Sequence, residues 1–256
     1  MRILCLHGKG TSGDIFKSQT TSFRSRLSDL NAQFDFIDAP YPSTPAAGID
    51  LFYKPPYYSF YQEDTIPAVR SASKWLLDLV AERGPYDAVM CFSQGCVLAA
   101  STLLLHAHES PHTPPPFKSA IFICGGAPLT FLESIGYEIP PAVTQRDLAS
   151  RMKLAAQADS AAILAQGSER WRGDGWEVTD EEAVRRELIG GVKIGLPTVH
   201  VYGKKDPRYV AGLQLSGLCV EHQRRVFDHG GGHEIPRGSE VTDALAELVR
   251  WALEQV

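Results

Sequence analysis

Asp87-Ala88-Val89-Met90-Cys91-Phe92-Ser93-Gln94-Gly95-Cys96-Val97-Leu98-Ala99-Ala100 is the stretch around which the chain organises. Residues 87–92 are apolar almost throughout and predict a strand. Residues 94–106 are small and apolar and predict a helix, with Ser93 at the bend between them. A serine between strand and helix is the context of a nucleophile elbow. So tight a turn needs small flanking residues, and it lifts the hydroxyl clear at the sheet's C-terminal edge. The helix N-terminus behind it favours negative charge developing there. Against the pattern G-x-S-x-G, Cys91 replaces the first glycine, and cysteine is small enough for the elbow to survive. A serine that merely caps a helix after a strand is also common, so the motif needs partners elsewhere.

Working outward, further apolar runs at 2–6, 33–38, 118–124, 197–202 and 224–228 predict strands. Their near-continuous apolarity is that of parallel strands covered on both faces. Helical patterns lie between them at 15–30, 65–83, 94–106 and 209–218, and one at 240–256 follows the last strand. Strand–helix alternation implies right-handed crossovers and an α/β domain, a doubly wound, mainly parallel six-stranded sheet with helices on both faces. At 256 residues the chain fits one such domain, 1–256. Two regions break the alternation. Residues 38–61 are dense in Pro, Tyr and Phe and predict no regular structure. Residues 125–195 carry helical patches at 145–158 and 180–188, with a polar turn between Trp171 and Trp176. Segments this long inside a compact domain are usually functional, so 125–195 is read as a cap, lid or pocket wall. The aromatic run Phe52, Tyr53, Tyr57, Tyr58, Phe60 and Tyr61, with Tyr53, Tyr57 and Tyr58 foremost, is read as lining for an acyl pocket, packing of the loop against the domain being the alternative.

A serine nucleophile needs a base, and the base an orienting acid. Asp206 stands in the turn after strand 197–202, in Gly203-Lys204-Lys205-Asp206-Pro207. His233 stands in the glycine loop after the last strand, His229-Gly230-Gly231-Gly232-His233. The order serine, acid, histidine at three strand ends is that of the α/β-hydrolase fold. Asp228 and His229 are rival candidates, while His106, His108 and His112 read as surface or helix-end residues. Stabilising the oxyanion calls for preorganised amides; the candidates are the backbone N–H groups of Gln94, after the nucleophile, and Lys9, after His7-Gly8.

The stretch Gly8-Lys9-Gly10-Thr11-Ser12-Gly13 also matches G-x-G-x-x-G after a strand, with Asp38 ending the second strand as a ribose ligand. A dinucleotide-binding protein is therefore the competing class, although it leaves Ser93 and the glycine loop unexplained. A third class is a non-catalytic scaffold. The net charge of −5 argues against a nucleic-acid partner. No apolar run approaches the roughly 20 residues that cross a bilayer, and no secretory signal is seen. Five scattered cysteines without metal or redox spacing suggest reduced thiols in the cytoplasm.

With these pieces placed, the chain resembles the fungal family of small serine hydrolases that includes acyl-releasing thioesterases of polyketide pathways. The resemblance runs over nearly the whole length. It rests on LCLHGKGTSGDIFKSQ, FDFIDAPYP, GPYDAVMCFSQG, LPTVHVYGKKD and HGGGHEIPR. The family pattern has Gly-Phe-Ser-Gln-Gly at the elbow, so Cys91 is a departure expected to bear on rate. Residues 129–194 resemble nothing specific, and substrate choice is expected there. The resemblance implies a Ser93–Asp206–His233 triad. It also implies hydrolysis of acyl thioesters or carboxylic esters without metal or organic cofactor. The partner it implies is an acyl chain presented by the carrier domain of a polyketide synthase; a general carboxylesterase is the nearest alternative.

Overall fold

The computed structural model describes residues 1–156, 160–171 and 176–255. Among these lie eight strands: β1 (Arg2–Leu6), β2 (Gln33–Ile37), the short pair β3 (Tyr41–Pro42) and β4 (Tyr58–Ser59), β5 (Ala88–Phe92), β6 (Ser119–Ile123), β7 (Thr198–Tyr202) and β8 (Arg224–Asp228). Six form one sheet in the order β2-β1-β5-β6-β7-β8, and every neighbouring pair is parallel. Successive strand residues face opposite sides, so the apolar runs feed two cores at once. Leu4, Leu6, Val89, Cys91, Ala120 and Phe122 face one of them. Ile3, Cys5, Ala88, Met90, Ile121 and Ile123 face the other. The chain winds from β1 outward to β2, then returns to β5 on β1's other side. This reversal places a crevice at the C-terminal ends of β1 and β5, where ligands of doubly wound sheets bind.

The helices are α1 (Gly13–Gln19), α2 (Thr21–Arg24), α3 (Ile66–Arg83), α4 (Gln94–Glu109), α5 (Leu129–Leu132), α6 (Pro141–Ala156), α7 (Ser160–Gln166), α8 (Glu181–Arg185), α9 (Tyr209–Gly217) and α10 (Ser239–Glu254). The helix expected over 15–30 is broken into α1, α2 and a 3-10 stretch, Ser25–Leu30. At the first break Thr20 leaves helical geometry, with φ −95° and ψ 0°, while its N–H and its hydroxyl both donate to the Phe16 carbonyl, at 3.0 and 2.8 Å. Nor is the aromatic segment irregular throughout. Tyr41 and Pro42 pair with Ser59 and Tyr58 in an antiparallel ladder.

The long excursion between β6 and β7 leaves the sheet's C-terminal edge, folds into α5 to α8 and re-enters the parallel sheet at the N-terminal end of β7. Its α6 is tied by Arg151 to Asp64 at 3.0 Å, and Ile163 of α7 packs on Gly48. Of the predicted polar turn, residues 172–175 lie outside the described residues, but both flanking tryptophans are placed. The Trp171 ring lies against Gly232, leaving no room for a Cβ there, and its Nε1–H donates to Glu234 Oε2 at 3.2 Å. Trp176 Nε1–H donates to the Pro207 carbonyl at 2.8 Å. No helix among the described residues is long and apolar enough to cross a membrane.

Candidate active site

Ser93 ends β5 and adopts φ 51° and ψ −112°, a conformation that costs a non-glycine residue about 1–3 kcal/mol. The surroundings enforce it. Ser93 N–H donates to the Ile123 carbonyl at 3.1 Å, and its own carbonyl accepts from Cys96 N–H at 3.0 Å. Glycine is required at position 95, where a Cβ would lie 2.5 Å from the Leu6 carbonyl oxygen. Cys91 meets no such restriction: it is wholly buried in the core on the α3–α4 side, and its thiol donates to the Ile121 carbonyl at 3.3 Å.

Asp206 follows β7 and is only 2% exposed. Its Oδ1 accepts the Arg208 backbone N–H at 2.7 Å, and its Oδ2 lies 2.8 Å from His233 Nδ1. His233 Nε2 lies 3.0 Å from Ser93 Oγ. The three candidates from three strand ends therefore form one continuous hydrogen-bonded line. The rivals serve the loops instead. Asp228 Oδ1 accepts the N–H groups of Lys204 at 3.0 Å and Gly230 at 2.8 Å. His229 stands 3.8 Å from the Cys124 thiol, and burial lowers its pKa. His108 and His112 are exposed, and His106 meets Thr113 at the far end of α4.

The amides of Lys9 and Gln94 donate to no carbonyl or side chain among the described residues. The loop carrying Lys9 is held by His7, which sequence reasoning passed over. The His7 ring is buried. Its Nδ1 lies 2.7 Å from the Gly8 carbonyl, making it the protonated nitrogen, and Nε2 accepts the Ala39 N–H at 3.1 Å. Burial lowers its pKa and keeps it neutral. The Gln94 side chain was also missed. Its Oε1 accepts Phe60 N–H at 3.0 Å, and its Nε2 donates to the Tyr61 carbonyl at 2.9 Å. It thus ties the aromatic segment to the elbow. Within that segment, the Tyr57 hydroxyl donates to the Tyr53 carbonyl at 2.7 Å, Tyr53 meets Ser18 at 3.4 Å, and Tyr58 sits in the short ladder. These three tyrosines fasten the segment to itself, to α1 and, through the Tyr58 backbone, to Gly10 and Thr11.

Cys124, Asp206 and His233 have ligand atoms within 4.8 Å of one another. They do not fit a resident metal. Asp206 and His233 are spent on each other, and burial pushes the Cys124 thiol well up, favouring its protonated form. The glycine loop does not suit a dinucleotide either. A Cβ on Gly10 would lie 2.3 Å from the Ala46 nitrogen, Gly10 N–H donates to the Tyr58 carbonyl at 2.8 Å, and Asp38 accepts the Gly13 N–H at 2.8 Å. The protein's own backbone fills the space a pyrophosphate would need, and the expected ribose ligand is engaged at the start of α1.

Residues 1–245 match the family model described as serine hydrolase (FSH1). The chain is 32% identical over 252 residues to the esterase FPY3 of Fusarium mangiferae, spanning 97% of this chain and 95% of that one. It is 30% identical over 267 residues to the hydrolase FUB4 of Fusarium oxysporum f. sp. lycopersici, spanning 97% of each. Among solved structures, a carboxylesterase from Mesorhizobium loti aligns with a TM-score of 0.54 at 12% identity, over 99% of this chain and 88% of that one. The esterase RhEst1 from Rhodococcus sp. aligns with a TM-score of 0.52 at 13% identity, over 99% and 90%. At such identities the structures speak for the fold alone, and it is that of the α/β-hydrolases. With a family model spanning nearly all of its length, the chain belongs to the serine hydrolase (FSH1) family.

Proposed function

We propose that the enzyme cleaves acyl thioesters or carboxylic esters through an acyl-enzyme on Ser93, without metal or organic cofactor. The observation that carries this is the line Asp206–His233–Ser93, with contacts of 2.8 and 3.0 Å. Ser93 Oγ attacks the acyl carbonyl as His233 Nε2 takes its proton, and Asp206 holds the Nδ1–H and steadies the imidazolium. The carbonyl's electron pair moves onto oxygen, which the N–H groups of Lys9 and Gln94 face. Collapse expels the thiolate or alkoxide, which takes the proton from His233. Water, deprotonated by the same imidazole, then attacks the acyl-serine and releases the acid.

The resemblance to polyketide-releasing thioesterases favours an acyl chain presented by a carrier domain. The excursion between β6 and β7, seated on the acid turn and on the histidine loop, acts in this reading as the lid over that chain. Five buried, unpaired thiols accord with a cytoplasmic enzyme. A general carboxylesterase is the second reading, favoured by relatives that bear the name esterase.

Steady-state hydrolysis of a matched acyl N-acetylcysteamine thioester and oxygen ester, by wild type and Ser93→Ala, tests both. We expect the thioester to be preferred and Ser93→Ala to lose at least about 10³-fold in kcat. Turnover of the oxygen ester alone would select the general esterase. Wild-type rates in Ser93→Ala would sink the covalent route.

A further inference from the structure

Arg208 stands two residues past the acid. Its backbone steadies Asp206, while its side chain runs the other way, into α6 of the excursion. All its side-chain hydrogen bonds gather on one nitrogen: Nη1 donates to Asp147 Oδ1 at 2.6 Å, to the Asp147 carbonyl at 3.2 Å and to Ser150 Oγ at 2.6 Å. Nε and Nη2 donate to nothing among the described residues, although the residue is only 8% exposed. Nη2 is turned toward the loop after β6, so close that a Cβ on Gly126 would stand 2.9 Å from it. Anchoring the helix uses one end of the guanidinium and leaves the other end without a partner.

A second unspent donor feels the charge of Arg208. Tyr61 is 7% exposed, and its hydroxyl has no hydrogen-bond partner among the described residues. Its carbonyl is gripped by Ser59 Oγ at 2.5 Å and by Gln94 Nε2 at 2.9 Å, which fixes it to the elbow. The charges acting on its phenol are Asp64, Arg151 and Arg208. Arg151 pairs with Asp147 at 2.7 Å and with Asp64 at 3.0 Å. Two guanidiniums are thus met by two carboxylates around the hydroxyl. The cluster is already balanced, so a carboxylate entering it would add an uncompensated buried charge. A neutral acceptor would satisfy both donors without that penalty.

We propose that Arg208 and Tyr61 form a subsite for a ketone oxygen on the acyl chain, which makes oxo-acyl groups the preferred substrates over plain alkyl ones. The subsite rests on the Ser93 acyl-enzyme reading. One side of it is fixed to the acid through Arg208, the other to the nucleophile through Gln94. A plain alkyl chain would cover both donors without giving either a partner. Sites built to hydrogen-bond a substrate reject analogues that lack the group far more strongly than apolar pockets reject a missing methylene.

The test compares hexanoyl, 3-oxohexanoyl and 5-oxohexanoyl N-acetylcysteamine thioesters on wild type, Tyr61→Phe, Arg208→Gln, Ser150→Ala and Ser93→Ala. Wild type should favour at least one oxo substrate about tenfold or more in kcat/KM. Tyr61→Phe and Arg208→Gln should both bring that ratio toward one. Ser150→Ala loosens the anchor on α6 but leaves the free donors, so it should retain the ratio. Labelling of Ser93 by a hexyl fluorophosphonate and its keto analogue reads the same preference without turnover, and equal labelling overturns the subsite. A ratio near one in wild type, or one that survives both variants, also overturns it. Turnover that is independent of Ser93 would instead overturn the underlying reading.

Discussion

Cys91 sits where the elbow pattern has glycine, yet its side chain turns into the core and away from Ser93. The demand for glycine falls on position 95, which abuts β1. Cys91→Gly should therefore act on stability. A void and a glycine inside a strand together cost about 1–2 kcal/mol, read as a lower urea midpoint, with kcat/KM changed less than about threefold. A loss of rate without a loss of stability would show that the thiol shapes the turn after all. His7 should behave in the opposite manner. His7→Leu frees the loop that presents the Lys9 amide, and loss of one oxyanion donor costs on the order of 10²-fold in kcat with KM nearly unchanged. Single-turnover kinetics with the thioester would check this. The hydrogen-bonded line of Ser93, Asp206 and His233 was legible in the sequence because each follows a strand end in a fixed order. His7, Gln94 and Arg208 were not, since their roles rest on contacts such as Ala39 to His7 and Asp147 to Arg208, which no local pattern announces.

At the scale of elements, the six strands of the sheet were legible because burial on both faces makes parallel strands read as apolar runs. The first helix differs from its expected span, because the backbone turns out of helical geometry at Thr20 and tightens to 3-10 after Arg24 without interrupting the apolar spacing. The excursion between β6 and β7 could be recognised by its length but not placed. Its two tryptophans now show where it bears. Trp176 grips the turn that holds Asp206, and Trp171 covers the glycine immediately before His233. Trp176→Phe replaces the indole by a smaller aromatic ring and removes the hydrogen bond to the Pro207 carbonyl, a loss of about 1 kcal/mol or more read as a lower urea midpoint. Trp171→Ala uncovers the histidine loop, and we expect it to slow Ser93 labelling by a fluorophosphonate at least about tenfold through looser positioning of the base. Unaltered labelling in Trp171→Ala would separate the excursion from the catalytic line.

Over the whole molecule, buried histidines set the response to acid. His200 is a buried residue of β7 whose ring stacks on Phe122 of the neighbouring strand, and burial takes its pKa to about 3, while burial also lowers His7 and His229. Unfolded, each titrates near its ordinary 6.5, so below that pH the unfolded chain binds more protons than the folded one. Stability should be level above pH 6.5 as far as these groups go, and should fall as pH drops through 6.5 toward 3. The slope for each such histidine is about 1.4 kcal/mol per pH unit. His200→Leu should flatten that slope by one proton, measured by urea unfolding at pH 7, 6 and 5; an unchanged slope would show that His200 is not neutral. The five cysteines share this interior and are buried without exception. An aromatic disulfide reagent should therefore register no thiol on the native enzyme and five on the denatured one. The absorbance it releases then becomes a clock for opening of the core, running independently of the serine. A fluorophosphonate reports the hydroxyl and the disulfide reagent reports the thiols, so one sample can be asked whether inactivation precedes unfolding or follows it.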